Sequence, residues 1–476
     1  MTRRTKIIAT IGPASDGPET LRDMIRAGMD VARIGMAHNT IDGAIERIRR
    51  IRGAAADVGR PVGVLVDLPG PKVRVGTFPD EGVELVPDTL IELRPGDSGS
   101  SSTEVFVDYD GLLDDVQGGD QLMLGDGAVV IGIEDRDGDA LVARVLNGGV
   151  LRGRPGVHIP ADRLSLRSPT DEDLRMLDAF LEHDVDMIAL SFVRSGSDVR
   201  RLGTEPHPRG PLIVAKIETR AAVDNLDGII KESGAIMVAR GDLGAECSLA
   251  ELPHLQKDII RQCIAGGLPV ITATQMLETM IQAPTPTRAE ASDVANAVFD
   301  GTSAVMLSGE TAIGAHPVRV VSTMAEIASR ADEWFDRELW ADRLEELRLH
   351  TATDPAMAVT DAMTSAAARA CDALDMAAII AISGSGFTVR SMARFRPRAR
   401  ILGFTHNAST YRQLTASWGT VPMLMESSGS YEDRVEEATT KAKAAGLVQS
   451  GDLVGVLAGI QPASGATDVF RVLRVR

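Results

Sequence analysis

Cysteine is scarce in this sequence, with three residues in 476. Cys247, Cys263 and Cys371 are widely spaced and form no CxxC pair. A disulfide framework or a zinc site is therefore not expected, and a reducing cytoplasm fits. Long apolar runs are also missing, because none reaches the roughly 18 residues that a membrane span requires. Gly12 and Pro13 interrupt the first apolar run too early for a signal peptide. We expect a cytoplasmic protein that is not bound to a membrane.

The sequence also lacks an excess of basic residues. Its 50 Lys and Arg residues are outnumbered by 67 Asp and Glu residues, which gives a formal net charge of −17. A nucleic-acid-binding protein is usually basic, so we expect no nucleic-acid partner. A site for a phosphorylated substrate would have to gather Arg, Lys and metal locally against this charge. No Walker GxxxxGK[ST], no GxGxxG placed after a strand, and no Ser-His-Asp or Cys-His pattern is present.

The sequence does contain a regular alternation of short β-branched runs and amphipathic stretches. Glu19–Ala27 is one predicted helix, and Thr170–His183 is another that begins with a threonine cap followed by acids. This alternation predicts parallel strands at Thr5–Ile11, Val31–Ile34, Val62–Asp67, Met187–Leu190, Leu212–Ile217, Ala235–Val238, Pro269–Ala273 and Ala304–Leu307. Eight such units indicate an α/β fold built on a closed (β/α)8 TIM barrel, with an open doubly wound sheet as the alternative.

Two further segments depart from this alternation. Residues 71–164 are punctuated by Gly, Asp and Pro and predict antiparallel strands with tight turns, which we interpret as a small β-barrel domain inserted into the first one. A charged helical stretch at 331–350 is followed by a predicted C-terminal α/β domain with strands at 378–382, 401–404, 421–424, 453–456 and 470–475. The expected domains are therefore 1–70 together with 165–345, then 71–164, and finally 346–476.

Polar side chains follow seven of the eight predicted barrel strands. The carboxyl ends of barrel strands form the active-site rim, and here they carry Arg33, Asp67, Ser191, Lys216 with Glu218, Arg240 with Asp242, Thr274 and Ser308. Each residue alone is compatible with a helix cap or a solvated loop, but convergence on one rim favours a site. Glu218 and Asp242 are oxygen ligands suited to Mg²⁺ or Mn²⁺. Lys216 precedes Glu218 by two residues and therefore points to the same side of its strand. Lys216, Arg33 and a metal together suit a transferring phosphoryl group.

Several ordered motifs then identify a family. They are TKIIATIGPAS at 5–15, AKIET at 215–219, MVARGDLG at 237–244, ATQMLETM at 273–280, PTRAEASDVANAVFDG at 286–301 and MLSGETAIG at 306–314. The chain resembles pyruvate kinase over nearly its whole length. The resemblance implies an enzyme that transfers the phosphoryl group of phosphoenolpyruvate to ADP, giving pyruvate and ATP. It also implies a homotetramer of three-domain chains, with the insert at 71–164 as a lid that excludes water.

The resemblance also implies roles for individual residues. Glu218 and Asp242 would hold the divalent metal, and Lys216 would stabilise the transferring phosphoryl group and the enolate. The substrate site would include Arg33, Lys216, Ser191, Thr274 and the amides of Gly241 and Asp242. The catalytic groups would be Lys216, Arg33, Thr274 and Ser308, the last two in the proton path. The nucleotide would lie against Arg33, His38, Arg74 and Arg154.

The second-strand motif departs from the family pattern. The family normally reads R-x-N-x-S-H, whereas this chain has Gly35 and Ala37 at the two positions that bind a monovalent cation. Leu68 replaces a further cation ligand, so only Asp67 remains. Lys72 occupies a position where potassium-dependent members carry an acid, and its ammonium is suited to replace K⁺. The chain thus resembles the potassium-independent branch, which would not require K⁺. The alternative is that Lys72 is a solvated hinge residue.

The nucleotide side of the site is also altered. Pro155 occupies the position of a family lysine that contacts the nucleotide, with Arg154 beside it as a substitute. This favours a second hypothesis, a paralogue that keeps the metal–enolate chemistry but uses another 2-oxo acid or another phosphoryl acceptor. A third hypothesis, a catalytically inactive sensor, would need a damaged core site, and the sequence shows none.

The C-terminal domain carries one more candidate site. The segment Ser383-Gly384-Ser385-Gly386-Phe387-Thr388 precedes a predicted helix and is similar to the family's effector loop for a sugar phosphate. Small and hydroxyl residues in such a position form an anion nest, although a simple turn is the alternative. We expect an effector, either a sugar phosphate or a nucleotide, on Ser383, Ser385, Gly386 and Thr388.

Overall fold

The computed structural model describes residues 3–125, 127–160, 163–348, 355–426, 429–460 and 467–476. The chain begins with alternating strands and helices, which are β1 (Lys6–Thr10), α1 (Pro18–Ala27), β2 (Val31–Gly35), α2 (Ile41–Val58) and β3 (Gly63–Leu68). Helix α1 ends at Gly28, whose φ of 128° suits a residue without a side chain. A 3-10 turn at Met36–His38 follows β2.

An insert of short strands follows β3, as the sequence predicts. Its elements are β4 (Phe78–Leu85), β5 (Leu90–Pro95), β6 (Glu104–Val107), α3 (Leu112–Asp115), β7 (Gln121–Leu124), β8 (Val129–Asp137), β9 (Ala140–Asn147), β10 (Gly149–Gly153) and β11 (Val157–His158). They form a six-stranded sheet in the order β11-β7-β8-β9-β5-β6 and a two-stranded sheet of β10 and β4. Strands β5 and β6 pair in parallel, which the predicted antiparallel pattern did not include. The insert has its own apolar core.

The alternation of strands and helices resumes after the insert. The next elements are α4 (Asp171–Leu181), β12 (Met187–Leu190), α5 (Gly196–Arg200), β13 (Leu212–Ile217), α6 (Arg220–Asp224), α7 (Leu226–Glu232), β14 (Ala235–Ala239), α8 (Arg240–Glu246), α9 (Leu252–Ala265), β15 (Val270–Ala273), α10 (Arg288–Phe299), β16 (Ala304–Leu307), α11 (Gly309–Ala312) and α12 (Pro317–Trp334). Eight parallel strands close in the order β1-β16-β15-β14-β13-β12-β3-β2. The closed barrel is therefore confirmed over the open sheet.

The barrel is packed on both sides of its strands. Residues that alternate along the strands, such as Ile8, Met187 and Met306, form one buried cluster. Their neighbours, such as Ile7, Ile188 and Leu307, join a second cluster with the surrounding helices. This period of two is the expected pattern for strands that are buried on both faces. The interior is consequently a core, and polar chemistry is left to the strand ends.

The C-terminal part forms a separate sheet with flanking helices. Its elements are α13 (Arg337–Arg348), α14 (Pro355–Ala373), β17 (Ala378–Ile382), α15 (Phe387–Ala393), β18 (Arg400–Thr405), α16 (Ala408–Gln413), β19 (Thr420–Leu424), α17 (Tyr431–Ala444), β20 (Leu453–Ala458) and β21 (Val469–Arg474). The strand order is β19-β18-β17-β20-β21, with only β20 and β21 antiparallel. The helical stretch predicted at 331–350 is divided between α12 and α13. In the part of the chain described, no helix has both the length and the apolar character needed to cross a membrane.

A buried carboxylate joins the barrel to the C-terminal sheet. Asp186, which precedes β12, is fully buried. It accepts hydrogen bonds from the Val64 amide at 2.8 Å, from Arg52 Nη2 at 2.7 Å and from Arg412 Nε at 2.5 Å. Gln413 also donates to the Asp186 carbonyl, at 3.2 Å. One side chain thereby connects two barrel strands to helix α16.

A buried arginine makes a second connection between the two regions. Arg396 is 1% exposed and lies 4.4 Å from the ring centroid of Trp418 and 5.8 Å from that of Trp340. Its guanidinium also donates to the carbonyls of Gly301 and Thr302. Aromatic faces and carbonyls thus replace a carboxylate as the surroundings of this cation.

Candidate functional site

Lys216 lies at the centre of a polar network at the C-terminal end of the barrel. Its Nζ is 2.7 Å from Glu218 Oε1 and 3.4 Å from Asp67 Oδ1, and it donates to Ser191 Oγ at 2.8 Å. These partners come from the ends of three adjacent strands, β3, β12 and β13. The ion pair between Lys216 and Glu218 agrees with the expectation that residues two apart share one side of the strand.

Asp67 connects Lys216 to Arg33. Arg33 Nε donates to Asp67 Oδ2 at 2.8 Å, and the Asp67 side chain is 3% exposed. Burial opposes ionisation of this carboxyl, but the charges of Lys216 and Arg33 hold the pKa of Asp67 below its usual value. Arg33 Nη1 also donates to Thr10 Oγ1 at 2.9 Å. Thr10 ends β1, the one strand for which the sequence analysis named no polar group. A threonine at the carboxyl end of a barrel strand is itself a polar group, and this one was not predicted. Thr10 is buried and its hydroxyl is hydrogen-bonded.

The loop after β12 positions Glu218. Phe192 has a φ of 53°, an uncommon conformation for a residue with a side chain. It directs its amide at Glu218 Oε2, 2.7 Å away, while Ser191 Oγ donates to the Leu68 carbonyl at 2.7 Å. Backbone donors of this kind carry no signature in the sequence.

Electrostatics at the rim are dominated by the buried Glu218 carboxylate, the nearby Asp242 carboxylate and the largely buried Lys216 ammonium. Burial raises the pKa of Glu218, Lys216 opposes that rise, and the nearby Asp242 carboxylate adds to it. Burial also works against the charge of Lys216, but Asp67, Glu218 and Asp242 together raise the pKa of Lys216 above its ordinary value. Glu218 is 1% exposed. A divalent cation between Glu218 and Asp242 would relieve the repulsion of these carboxylates, and two carboxylates are the usual protein contribution to an Mg²⁺ site. No group of three or more His, Cys, Asp or Glu side chains with metal-site geometry occurs among the described residues.

Gly241 and Thr274 lie together on the neighbouring strand ends. The Gly241 amide donates to Thr274 Oγ1 at 2.8 Å. Thr274 and Gln275 have positive φ values of 66° and 52°, so this loop holds strained backbone. The amide and the hydroxyl thus meet at one point of the rim, where the Thr274 hydroxyl donates in turn to the Ala273 carbonyl at 2.6 Å.

Arg240, one of the polar residues at the predicted strand ends, is held beneath the loop that follows β15. It is 8% exposed, and its guanidinium lies beneath the strained loop, donating to the carbonyls of Thr274 at 2.6 Å and Gln275 at 3.1 Å. It is also paired with Asp293 at 2.6 Å. Position along a strand fixes where a side chain starts but not where the charge of a long side chain lies.

Ser308 opens helix α11 at the end of β16. Its amide donates to Glu310 Oε2 at 2.6 Å, and the Leu277 amide donates to Glu310 Oε1 at 3.1 Å. Glu310 is fully buried and was not among the predicted site residues. It fixes the loops after β15 and β16, which carry Thr274 and Ser308.

Three of the predicted nucleotide and cation residues, Lys72, Arg74 and Arg154, lie in the insert or at its junction with the barrel. Lys72 is exposed and forms no ion pair with any described residue. Its side chain lies beside Gly156, where an added Cβ would be 3.2 Å from Lys72 Cε. Arg154 is paired with Asp108 at 2.7 Å, and Arg74 donates to the Arg154 carbonyl at 3.1 Å. The His38 side chain lies outside the described part of the structure. Lys72, Arg74 and Arg154 form no ion pair with a member of the Lys216 network in the described part of the structure, whereas Arg33 and Asp67 belong to it.

One contact does join the insert to the rim. His158 Nε2 in β11 lies 3.1 Å from Glu246 Oε1, and both side chains are largely buried. Glu246 ends helix α8, which also carries Gly241 and Asp242. The pair therefore connects the insert to the helix of a predicted metal ligand.

The predicted effector loop lies between β17 and α15. Ser383 is 8% exposed and Thr388 is 5% exposed, while Gly386 has a φ of 77°. Thr388 Oγ1 lies 2.6 Å from Thr467 Oγ1, and the Phe387 amide donates to Ser385 Oγ at 3.4 Å. The loop is distinct from the barrel rim.

Comparison with known proteins gives one family for the whole chain. Residues 2–321 match the family described as pyruvate kinase, barrel domain, and residues 361–473 match pyruvate kinase, alpha/beta domain. A pyruvate kinase of Bacillus licheniformis is 39% identical, over 99% of this chain and 80% of the relative. Pyruvate kinases of Agrobacterium vitis and Clostridium acetobutylicum are 39% and 36% identical over 99% of this chain, covering 98% and 99% of the relatives. The closed barrel, the Lys216 network and these matches agree that the chain belongs to the pyruvate kinase family and is a phosphotransferase.

Proposed function

We propose that this protein transfers the phosphoryl group of phosphoenolpyruvate to ADP, giving pyruvate and ATP. The observation that carries the proposal is the Lys216 network, in which one largely buried ammonium is 2.7 Å from Glu218 and 3.4 Å from Asp67. Phosphoryl transfer is catalysed mainly by positioning and by neutralising charge. A lysine held between the acids Asp67 and Glu218 and the hydroxyl of Ser191 suits that task, because its ammonium is positioned before the substrate binds.

The carboxylates of Glu218 and Asp242 are proposed to hold Mg²⁺ or Mn²⁺. When bound, this ion would neutralise charge on the substrate phosphate and on the enolate oxygen. The Phe192 amide binds Glu218 Oε2 and orients this carboxylate. The other oxygen, Oε1, is directed into the rim, where it contacts Lys216. The family relationship supports a divalent metal in general, and the donor set supports these two ions in particular.

The remaining rim residues are proposed to bind and protonate the substrate. Arg33 and Lys216 would hold the phosphate, while Ser191 keeps the Lys216 ammonium in place. The amides of Gly241 and Asp242, with Thr274, would hold the substrate carboxylate. Thr274 and Ser308 are poor bases alone, but their hydroxyls can order a water that returns a proton to the enolate.

A steady-state assay with phosphoenolpyruvate, ADP and Mg²⁺ tests the activity. We expect ATP and pyruvate to form in equal amounts, and expect removal of the metal by a chelator to abolish turnover. Absence of turnover with saturating phosphoenolpyruvate and several nucleoside diphosphates would overturn the proposal.

The activity is proposed to be independent of K⁺. Gly35, Ala37 and Leu68 offer no side-chain oxygen for such a cation, and Asp67 is already paired with Arg33 and Lys216. Lys72 is exposed at the junction with the insert. We propose that its ammonium supplies the missing charge when the lid closes over the nucleotide.

Replacing Lys72 with glutamate tests this role. We expect K⁺ to change the wild-type rate less than about twofold, and expect Lys72→Glu to lower kcat/KM about tenfold, which corresponds to one charge-assisted contact. Added K⁺ should not rescue the variant, because the ligands at positions 35, 37 and 68 are missing. Lys231→Met, an exposed lysine of helix α7, serves as the control. An unaltered rate in Lys72→Glu would leave Lys72 as a solvated hinge residue.

A second candidate function arises from the nucleotide side. Arg154 is bound to Asp108 within the insert, and Pro155 has no group to contact a phosphate. A paralogue acting on another 2-oxo acid or another phosphoryl acceptor is therefore the alternative. It predicts metal-dependent exchange of solvent protons into a 2-oxo acid together with poor phosphorylation of ADP. Ordinary kinase kinetics with ADP would exclude it. If ADP is the acceptor, Arg33, His38, Arg74 and Arg154 are the proposed nucleotide contacts.

The contact between His158 and Glu246 is proposed to hold the lid in register with the rim. Replacing His158 with leucine removes this polar contact, and we expect KM for the nucleotide to rise about tenfold while kcat changes little. His254→Leu, on the exposed face of helix α9, is the matched control. An equal effect in both variants, or none in His158→Leu, would contradict the prediction.

Three further properties complete the proposal. Residues 383–388 are proposed to bind an effector that carries a phosphate, either a sugar phosphate or a nucleotide, through Ser383, Ser385, Gly386 and Thr388. The chain is proposed to assemble as a homotetramer, which sedimentation equilibrium would test. Its three free cysteines are all buried, which supports residence in a reducing cytoplasm.

A further inference from the structure

Arg390 is a buried cation beneath the predicted effector loop, residues 383–388. It lies in helix α15 and is 5% exposed. Its Nη2 donates to the Ser385 carbonyl at 3.0 Å and to Nε2 of His207 at 2.8 Å. Its Nη1 is also buried and has no hydrogen-bond partner in the described part of the chain. Half of the guanidinium fork is thus satisfied and half is not.

The charge of Arg390 is not compensated either. It forms no ion pair within 4 Å with any described residue, and burial alone lowers the pKa of Arg390 to about 10. The side chain therefore remains charged at neutral pH. A buried, unpaired cation is costly, and an unsatisfied buried donor adds to that cost. An anion bound to Nη1 would compensate the buried charge and would also accept the unsatisfied hydrogen bond.

The loop packs directly against this nitrogen. Gly386 has a φ of 77°, and a Cβ at this position would lie 2.7 Å from Arg390 Nη1. Any other residue would therefore clash with the guanidinium as well as strain the backbone. The unpaired Nη1 consequently lies directly against the loop, close to the hydroxyl-bearing Ser385.

The other partner of Arg390 belongs to the barrel. His207 lies in the connection between α5 and β13, five residues before β13 begins. Because the guanidinium can only donate, His207 Nε2 accepts, and the ring is neutral with its proton on Nδ1. Burial and the charge of Arg390 lower the pKa of His207 to about 3, in keeping with this state. Strand β13 then leads to Lys216 at its far end.

We propose that a phosphate group bound in the effector loop is held by Arg390, and that the hydrogen bond between Arg390 and His207 transmits the occupancy of the loop to strand β13. This inference rests on the proposed effector function of residues 383–388. Arg390 is then a binding residue for the effector, and His207 is a positioning residue that acts on the catalytic strand. An anion on Nη1 fixes the orientation of the guanidinium, and the same orientation presents Nη2 to His207. Binding at the two sites is therefore coupled, and the coupling is reciprocal.

Two variants separate binding from transmission. The full-length enzyme is titrated with inorganic phosphate, glucose 6-phosphate, ribose 5-phosphate and AMP, and each probe's affinity and its effect on the half-saturating phosphoenolpyruvate concentration are measured. We expect Arg390→Met to weaken the effective probe at least about tenfold, as loss of a charge-assisted hydrogen bond implies. We expect His207→Leu to keep most of the probe affinity but to lose the probe's effect on phosphoenolpyruvate. His207→Gln, whose amide oxygen can accept from Arg390, is expected to restore that effect.

The outcomes distinguish the inference from the function on which it rests. Arg398→Met, an exposed arginine of the same region, controls for loss of charge and should respond like the wild type. If no probe binds the wild type, the effector function fails and this inference falls with it. If a probe binds Arg390→Met as tightly as the wild type, the role of Arg390 is overturned. If the probe still changes the half-saturating phosphoenolpyruvate concentration in His207→Leu, transmission through His207 is overturned. In both cases the effector function itself stands.

A measurement on the wild type guards against variants that do not fold. Hydrogen exchange is followed with and without the effective probe. Protection is expected both in residues 383–388 and in residues 205–211, on the two sides of the hydrogen bond. Protection limited to the C-terminal sheet would contradict transmission through His207.

Discussion

Replacing Lys216 with methionine is expected to lower kcat by about 10³- to 10⁵-fold, the range found when a cation that neutralises a transferring phosphoryl group is removed. Methionine keeps most of the length of the side chain but removes its charge and its hydrogen bond to Ser191. Asp67 retains Arg33 as a partner at 2.8 Å, and Glu218 retains the Phe192 amide at 2.7 Å. The rim should therefore keep its shape, so that the loss appears in kcat more than in KM for phosphoenolpyruvate. Steady-state kinetics at saturating Mg²⁺ provide the measurement.

The matched control is Lys231→Met, which removes an exposed lysine from helix α7. It should leave kcat within about twofold of the wild type, since surface substitutions rarely have large effects. Circular dichroism and gel filtration would show whether Lys216→Met has the native fold. A folded variant with more than about a tenth of the wild-type kcat would contradict a direct role of this ammonium in phosphoryl transfer.

The barrel could be predicted from the sequence because its signals are local. Strands such as Met187–Leu190 and Ala304–Leu307 are continuous apolar runs, bounded by turns, and the structure has them at these bounds. The alternation with amphipathic helices then restricts the sheet to parallel pairing. The approach of Lys216 to Glu218 also followed from a local rule, the period of two along a strand.

Other features depend on contacts between distant residues and had no local signal. Arg240 points under the loop of Thr274 because Asp293 and three carbonyls attract it there, not because of its place in the sequence. The Phe192 amide reaches Glu218 only because its backbone has a positive φ. The hydrogen bond from Arg390 to His207 joins residues 183 positions apart. Such contacts are decided by how the domains pack, which residue type and spacing do not reveal.

The structure also divides the site into two parts of different character. The Lys216 network is buried, closely bonded and supported by several strands, so its geometry is set before substrate arrives. Arg154 and Lys72, on the nucleotide side, are exposed or bound to neighbours within the insert. Their proposed roles require the insert to move. Enolate chemistry and nucleotide binding are therefore expected to respond differently to substitutions at the insert, as His158→Leu tests.

Replacing Asp186 with asparagine is expected to lower the free energy of unfolding by about 3 kcal/mol, the lower end of the range for breaking a buried ion pair. The Asp186 side chain is fully buried and is bound by Arg52, Arg412 and the Val64 amide. Asparagine preserves the size and can still accept the bond from Val64, but it leaves Arg52 without a carboxylate and Arg412 with only the exposed Asp184, at 3.9 Å. Because Arg412 belongs to helix α16 and Arg52 to helix α2, docking of the C-terminal sheet should weaken along with the barrel.

Asp184 offers a closely matched control two residues away. Its side chain is 89% exposed and lies 3.9 Å from Arg412 Nη2, and its positive φ of 54° is tolerated by asparagine as well as by aspartate. Asp184→Asn should therefore change stability by less than about 0.5 kcal/mol, as is usual for a surface substitution. Thermal unfolding of both variants, followed by calorimetry, would compare them, and limited proteolysis would report whether the C-terminal sheet separates first. Equal unfolding temperatures for the two variants would contradict the prediction. They would mean that the desolvation cost of the buried Asp186 charge equals the free energy gained from its partners. The contact would then determine how the two regions fit together without stabilising them.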